Sequence, residues 1–139
     1  MIKYINTLFL MALLFTINAL AFAPVENRLM VGQRMKVGEK LESRNGQFYA
    51  MLGKDGTLGV YRKEGTLLWS SETNDPGAAY FGLERDGNLS VRRKDGSKIW
   101  QSHTVGGKGT YLIMQDDGNL VIYVETPASA IWASDTGGM

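Results

Sequence analysis

The chain has 139 residues, 17 Gly, three Trp, one His, no Cys and a formal net charge of +1. That length allows one small domain with or without a targeting segment. A charge so close to zero offers no concentrated positive field for nucleic acid, and the lack of Cys leaves a hydrophobic core to hold the fold without disulfides.

The first residues have the pattern of a cleaved secretory signal. Lys3 supplies a short positive start, Leu8 to Phe15 is almost wholly apolar, and Ala19-Leu20-Ala21 and Ala21-Phe22-Ala23 are both small-x-small sites. Asn6 and Asn18 bracket an apolar run well short of the roughly 20 residues that span a bilayer, so the mature chain is not expected to cross a membrane. Residues 1–21 are the expected signal; cleavage after Ala23 would put Pro24 first, which suits signal peptidases poorly. Without residues 1–21 the chain keeps 14 basic and 14 acidic residues, and secretion or export to a periplasm is expected. Residues 24–139 form the one expected domain.

Further along, the chain repeats itself. Trp69, Trp100 and Trp132 are almost evenly spaced and open the same pattern W-x-S-x-T, as "WSSET", "WQSHT" and "WASDT". Upstream, Asp55-Gly56, Asp86-Gly87 and Asp117-Gly118 recur at one constant interval. Three repeats of about 31 residues, built of short apolar runs and Gly turns, predict an all-β array with about four short strands per unit. Second turns follow at "KEGT" and "KDGS", with Gly65 and Gly96 at that same interval. The third unit substitutes "ETPASA", one residue longer, which accounts for the slightly wider gap before Trp132. The three Trp, at matched places, are expected to pack near a shared axis. The basic run "VRRKDGSK", Val91 to Lys98, reads as a solvated hairpin, with contact to an anionic polysaccharide or envelope surface as its functional alternative.

The third unit contains "YLIMQDDGNLVIY", which alternates apolar residues on both sides of Asp116-Asp117-Gly118. That predicts a hairpin with a three-residue loop whose Gly is left-handed. Such a loop pairs Gln115 with Asn119 and Met114 with Leu120, so Leu112, Met114, Leu120 and Ile122 face the core. Gln115, Asn119, Val121 and Tyr123 are then left on the outer face. Turn chemistry accounts for Asp117 and Gly118, but not for Gln115 and Tyr123, one on each strand and aimed to the same side. An acceptor-only carboxylate, two amides, a phenol and a small apolar patch are the set that vicinal hydroxyls and the C–H face of a sugar ring require.

The stretch "QDDGNLVIY" matches all five positions of Q-x-D-x-N-x-V-x-Y, the mannose-binding motif of the bulb-type (monocot mannose-binding) lectins. "NRLMVGQRMKVGEKLES" resembles the start of such a domain and "IWASDTGG" its repeat ending, so the resemblance covers roughly Asn27 to Gly138. It implies a type II β-prism of three four-stranded antiparallel sheets with pseudo-threefold symmetry and one sugar pocket per sheet. It further implies that Asp117 and Asn119 hold the 2-hydroxyl of mannose, Gln115 the 3-hydroxyl and Tyr123 the 4-hydroxyl, with Val121 against the ring carbons. No metal or other cofactor is implied. Partners are expected to be mannose-containing glycans or polysaccharide, and exchange of the C-terminal strand from Ile131 onward would give a homodimer.

Two units depart from the motif. Unit two has Glu84, Asp86, Asn88, Ser90 and Arg92 at the equivalent places, so a weak second site at Glu84, Asp86 and Asn88 is the most it offers. Unit one has Gly53, Asp55, Thr57, Gly59 and Tyr61 and is expected to be silent. The absence of the disulfide that many plant members carry, together with the signal, fits a bacterial exported protein. A competing reading takes the prism as a structural or protein-interaction module whose sugar sites have degenerated. An enzyme is not expected: His103, the sole imidazole, sits where the other units have Glu72 and Asp135, and no positioned partner for it can be named.

Overall fold

The apolar runs of each unit are four to six residues long, the length of a strand rather than of a helix, and Gly turns separate them. The computed structural model describes residues 27–108, 111–125 and 128–139, and these form twelve strands and no helix. The expected signal at residues 1–21 lies outside the described residues, as do Thr126 and Pro127 of the third unit's second turn.

The first three strands are three residues each: β1 (Arg28–Met30), β2 (Arg34–Lys36) and β3 (Lys40–Glu42). Only the middle residue of each is buried, so Leu29, Met35 and Leu41 enter the core at a period of six. Unit one supplies β4 (Phe48–Leu52), β5 (Leu58–Arg62) and β6 (Leu67–Ser70), and unit two β7 (Ala78–Leu83), β8 (Leu89–Arg93) and β9 (Lys98–Gln101). Unit three supplies β10 (Tyr111–Met114), β11 (Leu120–Glu125) and β12 (Ala128–Ala133).

These build three four-stranded antiparallel sheets, ordered β1-β10-β11-β12, β2-β7-β8-β9 and β3-β4-β5-β6. The β-prism is therefore as expected, but its fourth strands are not. Each repeat unit holds three strands, and the segment before unit one donates one strand to every sheet. The reason is length: two hairpin turns and a crossover leave room for only three strands within one repeat.

The register of the third hairpin is the one its sequence dictates, with Leu112 opposite Ile122 and Met114 opposite Leu120. All four are fully buried. The Gln115 N–H donates to the Asn119 carbonyl at 3.0 Å and the Gly118 N–H to the Gln115 carbonyl at 3.0 Å, closing a three-residue loop with Gly118 at φ 89°. The loops at Gly56 and Gly87 close in the same way.

At the centre Trp69, Trp100 and Trp132 meet edge to face, with ring centroids 5.4 to 5.9 Å apart in all three pairs. One Trp per sheet in mutual contact makes a pseudo-threefold cluster packed against the aliphatic core, as the repeat predicts.

Candidate functional site

The motif residues of unit three come together at the β10–β11 hairpin. Gln115 and Asn119 are half-buried, Asp117 is exposed at the tip, and the Gln115 Nε2 donates to the Tyr123 hydroxyl at 2.8 Å. Tyr123 follows a β-bulge, where the pairing of β11 with β12 shifts between Ile122 and Tyr123. A bulge bends the strand and re-aims the side chain beside it. Sheet two shifts at Val91/Arg92 and sheet one at Val60/Tyr61, so the last motif position is re-aimed in all three sheets. Val121 is only 2 % exposed, so it is the floor of the site rather than an open apolar patch.

Asp117 and Asn119 each have one side engaged by the fold. The Asp117 Oδ1 accepts the Asn119 N–H at 2.9 Å, a local turn bond. The Asn119 Oδ1 accepts from the Ser134 hydroxyl at 3.2 Å and from the Thr136 N–H at 3.3 Å. Asn119 thus has a structural role beside its place in the motif, and its side-chain carbonyl points back into the protein while its amide donors are left for the face. Asp116 belongs to the scaffold: its Oδ1 and carbonyl accept from the Asn45 N–H and side-chain amide at 2.9 and 3.0 Å, tying the loop to unit one.

The residues that fix Asn119 are those of W-x-S-x-T. The Ser134 hydroxyl accepts the Leu120 N–H at 3.0 Å and lies 2.8 Å from the Thr136 hydroxyl, which donates to the Gly118 carbonyl at 2.6 Å. The same clamp recurs through Ser102 and Thr104 on Leu89 and Gly87, and through Ser71 and Thr73 on Leu58 and Gly56. The threefold W-x-S-x-T signal marks these residues in the sequence, but their role as a brace for the motif Asn needs the pairing of β12 with β11, which brings the residues after β12 to the hairpin loop. The residue between Ser and Thr turns left-handed in every unit, at φ 55° for Glu72, 57° for His103 and 58° for Asp135. His103 is exposed there, a surface corner as expected.

The equivalent places in the other sheets are filled by the protein's own side chains. In unit two Glu84 accepts from Arg92 Nε at 2.8 Å and Nη2 at 3.0 Å, and also from the Ser90 hydroxyl. The Arg92 guanidinium is the main cause that holds the Glu84 carboxyl below its ordinary range, and Ser90 and Lys98 add to it. Asn88 is fully buried and its amide donates to the Gln101 Oε1 at 2.9 Å, so Glu84 and Asn88 are both already bonded, and Asp86 is exposed in the turn. In unit one a Cβ on Gly59 would lie 2.6 to 2.7 Å from the Tyr61 ring, and one on Gly53 would lie 2.8 Å from the Asp55 Oδ1. Tyr61 therefore lies across the place where Val121 stands in unit three, stacked on Tyr49 at 5.1 Å. Burial is the main cause that raises its phenol above the ordinary value, with Asp55 adding to it.

Sequence reasoning did not find the flank of the site. The Arg28 guanidinium sits 4.7 Å over the Tyr111 ring, which packs at 5.7 Å from Tyr123. Sheet two repeats this with Arg34 over Tyr80 and sheet one with Lys40 over Tyr49. The signal was present as Tyr49, Tyr80 and Tyr111 at the interval of the repeat and as evenly spaced cations at 28, 34 and 40, two periods that only the sheet order aligns. Among the described residues no group of His, Asp and Glu is placed to hold a metal ion.

Solved structures with this architecture include a lectin from snowdrop bulbs, Galanthus nivalis, a mannose-specific agglutinin in complex with methyl-α-D-mannoside. It is 30% identical over 79% of this chain and 96% of its own, with a TM-score of 0.64. By its fold the chain belongs with the bulb-type mannose-binding lectins. A monomeric monocot mannose-binding lectin from Gastrodia elata shares the bulb-type fold at TM-score 0.70 and 32% identity, over 80% of this chain and 96% of its own. A lectin from Marasmius oreades superposes at TM-score 0.74 with 25% identity, over 83% of this chain and 95% of its own. No family model matches the chain, and no curated protein does. The likeness thus spans nearly the whole of each neighbour.

Proposed function

We propose that the chain is a carbohydrate-binding lectin, without catalysis, that holds mannose or mannose-containing glycans in one pocket formed by Gln115, Asp117, Asn119, Val121 and Tyr123. The observation that carries this reading is the contrast between sheets. Only the third motif keeps all five residue types, and the bond across its face is the neutral one from Gln115 to Tyr123 rather than the ion pair that spans sheet two. The snowdrop lectin, with the same fold, is mannose-specific.

In this reading the Asn119 amide and the Asp117 carboxylate take the 2-hydroxyl, Gln115 the 3-hydroxyl and Tyr123 the 4-hydroxyl. A shallow site with a handful of hydrogen bonds in competition with water binds a monosaccharide at about millimolar strength, near 4 kcal/mol. Useful avidity then comes from several copies on a dense glycan surface or through a homodimer. In the single chain β12 pairs with its own β11 and the Gly138 N–H donates to the Asp117 carbonyl at 2.8 Å, so exchange of that strand would carry part of the hairpin's support between subunits. Secretion or periplasmic export through residues 1–21 completes the proposal.

The test is a titration of the purified protein with methyl α-mannoside, with the galactoside as control, followed by backbone amide shifts. Shifts confined to Gln115 to Tyr123, with the mannoside alone, are expected. No shifts at tens of millimolar sugar would overturn the reading and leave the prism as a protein-interaction module.

A further inference from the structure

The outer face of sheet two holds a cavity of about 310 Å³, lined among others by Gln33, Arg34, Tyr80, Glu84, Ser90 and Arg92. That is the lower end of the ~300–1,000 Å³ range of ligand clefts. It lies beside the Glu84–Arg92 pair that fills the motif's place on this sheet, and its chemistry is different.

The charged residues that line it are Arg34 from β2, Glu84 just after β7 and Arg92 from β8. Two cations thus stand against one carboxylate. Glu84 is closed on Arg92 through two hydrogen bonds, and the Asp86 Oδ1 accepts the Asn88 N–H at 3.0 Å. The ion pairs among the described residues are Arg92–Glu84 and Arg93–Asp75, so Arg34 has no carboxylate of its own. Its guanidinium lies 4.6 Å over the Tyr80 ring, exposed at the rim.

The remaining hydrogen-bonding capacity is donor-rich. The Gln33 Oε1 already accepts the Met30 N–H at 2.8 Å, which turns the amide's two N–H donors outward. Arg34 adds a donor fork that matches a planar or tetrahedral oxyanion. The floor beside them is Gly82, where a Cβ would come within 2.8 Å of the Gln33 carbonyl and 3.0 Å of the Arg34 Cβ, so the cleft depends on a missing side chain.

We propose that this cleft is a second saccharide site that takes an anionic sugar unit, such as a hexuronate, with Arg34 and the Gln33 amide on the anion and the Tyr80 ring beside the sugar. Of the basic run Val91 to Lys98, Arg92 and Gly96 line the cleft. The proposal does not rest on the mannose pocket, which lies on another sheet. Together the two sites would let one chain hold neutral and acidic units of the same polysaccharide, and linked sites multiply affinity.

The experiment is an amide-shift titration of the full chain with methyl α-D-glucuronoside, with the neutral methyl α-D-glucoside and inorganic sulfate as controls, on the native protein and on Arg34→Gln. Shifts at Gln33, Arg34, Tyr80 and Ser90 with the uronide alone are expected. Arg34→Gln should weaken them at least about tenfold, the strength of one hydrogen bond to a charged group. The same variant should leave the methyl α-mannoside response at Gln115 to Tyr123 unchanged. No uronide shifts on sheet two, or equal shifts with the neutral glucoside, would overturn the proposal. Equal shifts with sulfate would reduce it to a general anion contact and overturn it as a sugar site. A mannoside response that is absent while the uronide response persists would instead count against the mannose pocket alone.

Discussion

At the residue scale the proposed site is made by side chains that also hold the fold. The Asn119 carbonyl is held by Ser134 and Thr136, and its amide is what remains for a ligand. Asn119→Asp keeps the acceptor and removes the donor, so it should change stability by about 1 kcal/mol or less while it weakens methyl α-mannoside at least tenfold, roughly the strength of one charged or well-placed hydrogen bond. Denaturant midpoint and amide-shift titration measured on one sample separate the two effects. In sheet two the Glu84–Arg92 pair fills the equivalent place, with both side chains about a quarter exposed. Because the folded carboxyl is held below its ordinary value, the pair's stabilisation is complete above the carboxylate range and is lost as pH falls through the lowered value. Glu84→Gln should cost about 1–2 kcal/mol at neutral pH. Denaturation curves of the two proteins should converge in strong acid.

At the element scale the hairpin, its bulge and the strand β12 paired beside it act as one part. Ser134→Ala leaves the buried Leu120 N–H without its acceptor, a loss of about 1–3 kcal/mol in denaturant unfolding. Two left-handed glycines test how tightly the loops are gripped. Gly65, at φ 99°, has open space around it, so Gly65→Ala should cost about 1 kcal/mol of backbone strain. Gly56, at φ 82°, lies under the next crossover, where a Cβ would fall 1.6 Å from the Asp75 carbonyl oxygen. Gly56→Ala must move backbone and should cost about 3 kcal/mol or more, read as a drop in the denaturant midpoint far larger than that of Gly65→Ala.

At the scale of the whole molecule the three sheets are held by what they share. Leu29, Met35 and Leu41 carry one short segment through all three, and the tryptophans close the centre edge to face. Trp100→Ala should remove contacts with both other rings and cost about 3 kcal/mol or more in unfolding free energy. Because the cluster belongs to every sheet, the loss should appear as one cooperative transition rather than as the release of unit two alone. A separate early transition in the variant would show the sheets to be energetically independent.

The sequence by itself determined the repeat, the three-residue hairpin loops, the face that Leu112, Met114, Leu120 and Ile122 bury, and the meeting of the tryptophans. Each follows from local spacing, because alternation sets the faces of a strand and a Gly loop sets its register. What only the tertiary structure decided lies between segments distant in the chain. The fourth strand of each sheet comes from residues 28–42, because a single repeat is too short to supply it. The Ser and Thr of W-x-S-x-T brace a motif residue well upstream of them in the chain. The departures of units one and two could be read as lost contacts in the sequence, but not as what replaced them. Whether Glu84 meets Arg92, and whether Tyr61 folds over Gly59, depends on which side chains a bulge turns toward one another, and that is a matter of packing rather than of spacing.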